Sequence, residues 1–103
     1  MKKSYAMKWI KALRSGKYKQ ARGYLKTDVG HCCLGVLCTL TPYKNNYTKM
    51  NDNETLPRAV MKETGIYNPA GTLPDGACLS KLNDDGRSFE EIADIIEKNW
   101  KLL

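Results

Sequence analysis

Seven consecutive residues, Cys32-Cys33-Leu34-Gly35-Val36-Leu37-Cys38, carry no charged or strongly polar side chain, and no other stretch of the 103-residue chain matches them. A run of that kind has to be buried, so the rest of the fold must be arranged around it. It falls far short of the roughly 20 residues that cross a membrane. It is also too short for periodicity to separate a buried helix from a core strand. We read residues 32–40 as a buried helix ended by Pro42. At this length one core is expected, with about 60–65% of the unfolded chain's surface removed from water, and hence a single domain over residues 1–103. The opening Met1-Lys2-Lys3-Ser4-Tyr5-Ala6-Met7-Lys8 is basic but lacks the apolar stretch of a signal peptide. A soluble, intracellular protein with no membrane partner is therefore expected. In a reducing compartment Cys32, Cys33, Cys38 and Cys78 are expected as buried thiols.

The elements around that run follow from spacing. Residues 4–15 read as an amphipathic helix: Ser4 as N-cap, Trp9, Ile10 and Leu13 on one face, Lys8, Lys11 and Ser15 on the other, Gly16 as a left-handed stop. Residues 17–31 fit extended or hairpin backbone, with Thr27-Asp28-Val29-Gly30 as the turn. Residues 43–55 read as a loop, where Tyr43, Tyr47, Asn45, Asn46, Asn51 and Asn53 carry base-recognising side chains. Leu56-Pro57 opens a second helix with Pro57 at its first position, Val60 and Met61 on its inner face, and Gly65 at its end. Turns fill 66–76, and a short helical piece runs from Ala77 to Leu82. Asn83-Asp84-Asp85-Gly86 reads as a tight turn; in an EF-hand register its first ligand position would fall on Lys81. The last helix carries the clearest signal: Ser88 and Glu91 as a capping box, then Phe89, Ile92, Ala93, Ile96 and Trp100 as an apolar stripe. The expected class is α+β: a small, mostly helical single domain with a short β-hairpin or small sheet.

Charge is distributed unevenly. The net charge is +6, yet residues 1–27 hold nine basic residues and no acidic one. The remaining eight basic and eleven acidic residues leave 28–103 at −3. Such a polarised chain draws anions to its N-terminal region: phosphates, nucleic acid or an acidic protein.

Three blocks carry a resemblance. Trp9-Ile10-Lys11-Ala12-Leu13-Arg14-Ser15-Gly16-Lys17-Tyr18-Lys19-Gln20, the run 32–38, and the stretch 82–94 (Leu82-Asn83-Asp84-Asp85-Gly86-Arg87-Ser88-Phe89-Glu90-Glu91-Ile92-Ala93-Asp94) make the chain resemble a group of small, uncharacterised bacteriophage and prophage proteins. The resemblance brings no catalytic residues. It implies the cytoplasm of an infected bacterium as the setting. By analogy with small non-structural phage proteins it also implies a counter-defence role: sequestering a nucleotide signal, inhibiting a host protein or binding nucleic acid.

The segment 14–26 supplies the chemistry for such a role. Arg14, Lys17, Lys19 and Arg22 can pair with phosphates, Tyr18 and Tyr24 can stack a base, Gln20 can hydrogen-bond one, and Gly16 and Gly23 let backbone N–H groups approach an anion. The spacing is neither a P-loop nor a dinucleotide fingerprint. Zinc is disfavoured at His31, Cys32, Cys33, Cys38 and Cys78, because adjacent cysteines diverge and the surroundings are apolar. A Cys–His nucleophile is disfavoured because the single histidine adjoins Cys32 and no orienting group can be assigned. The expectation is a non-enzymatic, cofactor-free protein that sequesters an anionic, nucleotide-derived immune signal, as a homo-oligomer. A basic nucleic-acid-binding protein and an inhibitor docked on a host defence protein are the alternatives.

Overall fold

The structure is a computed structural model, and it describes residues 1–44 and 55–103. The loop residues Tyr47, Asn45, Asn46, Asn51 and Asn53 thus lie outside the described residues. Among the described residues five helices follow in order: α1 (Lys3–Arg14), α2 (Cys33–Thr39), α3 (Arg58–Thr64), α4 (Leu79–Asp84) and α5 (Phe89–Asn99), with a 3₁₀ turn at Trp100–Leu102.

The apolar run forms a helix, α2, and every residue from Cys33 to Cys38 is buried. Other chain segments satisfy its ends. Cys32 Sγ accepts from the Gly35 N–H at 3.4 Å, and the Asn83 side chain accepts from the Cys33 N–H at 3.1 Å. The Cys33 carbonyl accepts from the buried indole N–H of Trp9 at 2.8 Å. Buried at 0% exposure, an aromatic side chain of this size contributes on the order of 1.5–3 kcal/mol.

The two amphipathic helices pack on each other, and α1 also packs on α2. α1 presents Ala6, Trp9, Ile10 and Leu13, and α5 presents Phe89, Ile92, Ala93 and Ile96; the α1–α5 contact is the most extensive between elements. Both directions of the Ser88–Glu91 capping box are present. Two expected caps differ. Ser4 lies inside α1, which starts after Lys2 with no side-chain cap. Pro57 is the N-cap of α3 rather than its first residue, and Gly65 closes that helix at φ +79°.

The expected α+β class is overturned: the described residues contain no sheet, and the fold is mostly helical. Residues 17–31 form no hairpin, and their only pairings are single bridges of His31 with Gln20 and with Lys26. Two physical reasons account for this. Gly23, between the buried Ala21 and Leu25, sits at φ +86°, outside the β region, and breaks any extended run there. The segment is instead pressed against α2 and folded on itself: a Cβ on Gly35 of α2 would collide with the Leu25 carbonyl, and one on Gly30 with the Lys19 carbonyl of the same segment. The expected reversal at 27–30 does form, closed by Thr27 N–H to Gly30 O at 2.8 Å.

Candidate functional site

α1 has no acidic residue in its first turn and carries Lys11 and Arg14 in its last. With Trp9, Ile10 and Leu13 turned inward, the 3.6-residue period sends Lys8, Lys11 and Ser15 outward. Gly16, at φ +74°, then turns the chain back along the helix it has just left. Ser15 Oγ donates to the Ala12 carbonyl at 2.6 Å and accepts from the Lys17 N–H at 3.2 Å, which fixes that reversal.

Tyr18 is delivered to the end of α2. Thr39 Oγ1 donates to the Val36 carbonyl at 2.7 Å, so the Tyr18 hydroxyl donates to Thr39 Oγ1 at 3.1 Å. The Tyr18 ring meets His31 edge-on, with centroids 5.8 Å apart. Between α1, the 15–18 turn and the end of α2 lies a groove of about 290 Å³, lined by Lys8, Lys11, Ala12, Ser15, Lys17, Tyr18 and Leu40. A more open hollow of about 560 Å³ adjoins it, lined by Met7, Ile10, Lys11, Arg14, Ser15 and Lys17.

The cations around these hollows are not equivalent. Arg14 is engaged by α5, at 2.6 Å from Asp94 and 3.1 Å from Glu97. Hydrogen bonds to Glu97 and Asp94 hold its guanidinium above the ordinary arginine range. Lys8 Nζ lies 5.2 Å from the Tyr5 ring centroid, a cation–π distance. Among the described residues no ion pair engages Lys8, Lys11 or Lys17. The C-terminal end of α1 opposes an anion with about half a negative charge; three full positive charges on the rim outweigh it.

Lys17 and Tyr18, read from the sequence as ligand-binding, come together in the groove. The remaining candidates do not join them. Arg14 lines only the neighbouring hollow and is ion-paired there. Gln20 is taken up by structure, its Nε2 donating to Asn83 Oδ1 at 2.9 Å and to the Arg87 carbonyl at 2.7 Å. Lys19, Arg22 and Tyr24 are exposed and line neither hollow. The Arg22 guanidinium sits over Gly86, where an added Cβ would lie 3.2 Å from it. Sequence reasoning missed Lys8, Lys11 and Leu40 as site residues. The lysines were visible as the outer face of α1 but were not singled out as ligand-binding; Leu40 needs the packing of α2 beside Tyr18.

Cys32 and Cys33, beside His31 in sequence, are buried. Burial pushes the Cys33 thiol well above its ordinary range and raises that of Cys32. Burial, with Lys26 nearby, lowers the pKa of His31. Among the described residues no three His, Cys, Asp or Glu side chains are grouped to hold a metal ion, and no helix is long and apolar enough to cross a membrane.

A family model described as a domain of unknown function, DUF8296, matches residues 1–76. The chain belongs to the DUF8296 family. Every residue of both hollows falls inside the DUF8296 match, whereas α4, α5 and the carboxylates that hold Arg14 fall outside it. No curated protein and no solved structure matches the chain.

Proposed function

We propose that this DUF8296 protein is a binding protein without chemistry of its own, which captures an anionic, nucleotide-type ligand at the C-terminal end of α1. Lys11 and Lys17 take phosphate with Lys8 on the same rim, and Tyr18 and Leu40 receive the base. The observation that carries the reading is the conjunction in one groove of three lysines that have no carboxylate partner among the described residues with an aromatic ring held in place by Thr39 and His31. The burial of Cys32 and Cys33 supports a role without covalent catalysis. The resemblance to small phage proteins gives capture a setting: withdrawal of a nucleotide-derived immune signal inside an infected bacterium. A second copy closing over the open groove would make the binder a homo-oligomer.

Magnitudes set the expected strength. A surface Lys–phosphate pair contributes about 1 kcal/mol or less, and stacking one base contributes about 1–3 kcal/mol. Three lysines and one ring therefore hold a mononucleotide only near the millimolar range. Titration calorimetry of ATP into the wild type and the Lys11→Glu/Lys17→Glu double variant tests the reading. The wild type should bind and the variant should not; equal binding by both, or none by the wild type at millimolar ATP, overturns it. Exposed Lys19 and Arg22, beyond the groove, favour a nucleic-acid strand as second reading. That reading requires log affinity to fall by about 0.7 per phosphate contact as log salt rises.

A further inference from the structure

The two hollows at the end of α1 are not separate sites. They share Lys11, Ser15 and Lys17 as a common wall. On one side of that wall lie Tyr18 and Leu40, and on the other Met7 and Ile10. Met7 is 40% exposed although it is a large apolar side chain. Its thioether is a soft, polarisable surface suited to the edge or face of an aromatic ring. Ser15 has its hydroxyl proton committed to the Ala12 carbonyl, so at the shared wall Lys11 and Lys17 are the groups that remain for an anion. The arrangement is thus a cationic ridge with an apolar or aromatic surface on each flank.

We infer that the ligand of this site is a dinucleotide: its phosphates sit on the Lys11–Lys17 ridge, one base lies against Tyr18 and Leu40, and the other lies against the exposed Met7. This rests on the nucleotide-binding reading above and narrows its ligand class. Size agrees with it. The first groove, about 290 Å³, lies at the lower limit of the roughly 300–1,000 Å³ that small-molecule sites occupy, and has room for one base and little more. Charge agrees as well, since both positive centres of the ridge face a linker that carries one or two phosphates. A thioether–ring contact of the second base with Met7 raises affinity by about two- to ten-fold over a mononucleotide.

Titration of the wild type with 5′-mononucleotides, linear 5′-phosphorylated dinucleotides and cyclic dinucleotides, each with adenine or guanine, tests the inference. At least one dinucleotide should bind about two- to ten-fold tighter than the mononucleotide of the same base. The Met7→Glu variant, at an exposed position, should bring that dinucleotide down to the mononucleotide's affinity. Val29→Ser, remote from both hollows and 68% exposed, serves as the folding and specificity control and should bind like the wild type. Equal affinity for mono- and dinucleotides overturns the two-lobed ligand while leaving the groove as a nucleotide site. Absence of binding by both classes overturns the groove reading itself. Tighter binding of a 12-nucleotide strand than of any dinucleotide overturns the inference in favour of a nucleic-acid partner.

Discussion

Asn83 offers the sharpest perturbation of the fold. Its side chain is fully buried and joins three segments distant in sequence. Its oxygen accepts from the Cys33 N–H at 3.1 Å and from Gln20 Nε2 at 2.9 Å, and its amide donates to the Ala21 carbonyl at 2.8 Å. In Asn83→Ala, Gln20 keeps its bond to the Arg87 carbonyl. The Cys33 N–H and the Ala21 carbonyl lose their side-chain partner in a site sealed from water. Each orphaned buried group costs about 1–3 kcal/mol, so the variant should lose about 2–6 kcal/mol. A loss in the middle of that range lowers Tm by roughly 15–30 °C for a domain of about 100 residues. Urea unfolding followed by tryptophan fluorescence reads the change directly, because Trp9 bonds to the Cys33 carbonyl. In Asn83→Asp the acceptor survives but a carboxylate is buried beside Asp84. Its pKa must rise above the ordinary value near 4, so its deficit relative to the wild type should shrink as pH falls toward about 4 and be smallest below it. A loss under about 1 kcal/mol in Asn83→Ala would refute the view that this amide holds the 20–33 region to α4.

Other predictions follow from the same contacts. Gly35→Ala should cost about 3 kcal/mol or more in urea unfolding, because the added methyl meets backbone rather than a movable side chain; a loss below about 1 kcal/mol would show that residue 25 does not pack on α2 as described. Cys32 and Cys33 should resist a thiol reagent at pH 8 in the native protein and react only on unfolding, since burial raises both thiols; labelling at the rate of a free thiol, mapped by peptide mass, would contradict their burial. His31 is favoured neutral in the fold, so its contribution is complete above about pH 6.5 and declines as pH falls below that value. Thermal melts of the wild type should therefore weaken between about pH 7 and 5 more than those of His31→Gln, and parallel profiles would refute the assignment.

Where local rules act alone, the sequence was readable. Ser88 and Glu91 announce the start of α5 because the capping box needs only four residues, and the Trp9, Ile10 and Leu13 spacing shows the buried face of α1 for the same reason. The run 32–38 was readable as buried from its composition, and the helix read over 32–40 is present as α2, although so short an apolar run has no periodicity that separates helix from strand. Residues 17–31 were misread because close backbone approach sets their conformation: Gly35 of α2 lies against Leu25, and Gly30 against Lys19 within the segment itself, and neither contact has a periodic signature. Asn83 was hidden for a related reason, since Asn-Asp-Asp-Gly has the composition of any solvated turn. At the candidate site, Lys17 and Tyr18 were legible from residue type. Lys8 and Lys11 were visible but not assignable, because a basic outer helix face becomes a groove wall only when Tyr18 and Leu40 are brought beside it.

The central claim is the location of the binding site, and amide-resolved NMR of the ¹⁵N-labelled protein during nucleotide titration tests it most directly. Saturable shifts should concentrate at Lys11, Ser15, Lys17, Tyr18 and Leu40, and vanish in the Lys11→Glu/Lys17→Glu variant. Shifts centred instead on Lys19, Arg22 and Tyr24, or a spectrum unchanged at millimolar nucleotide, would contradict the account.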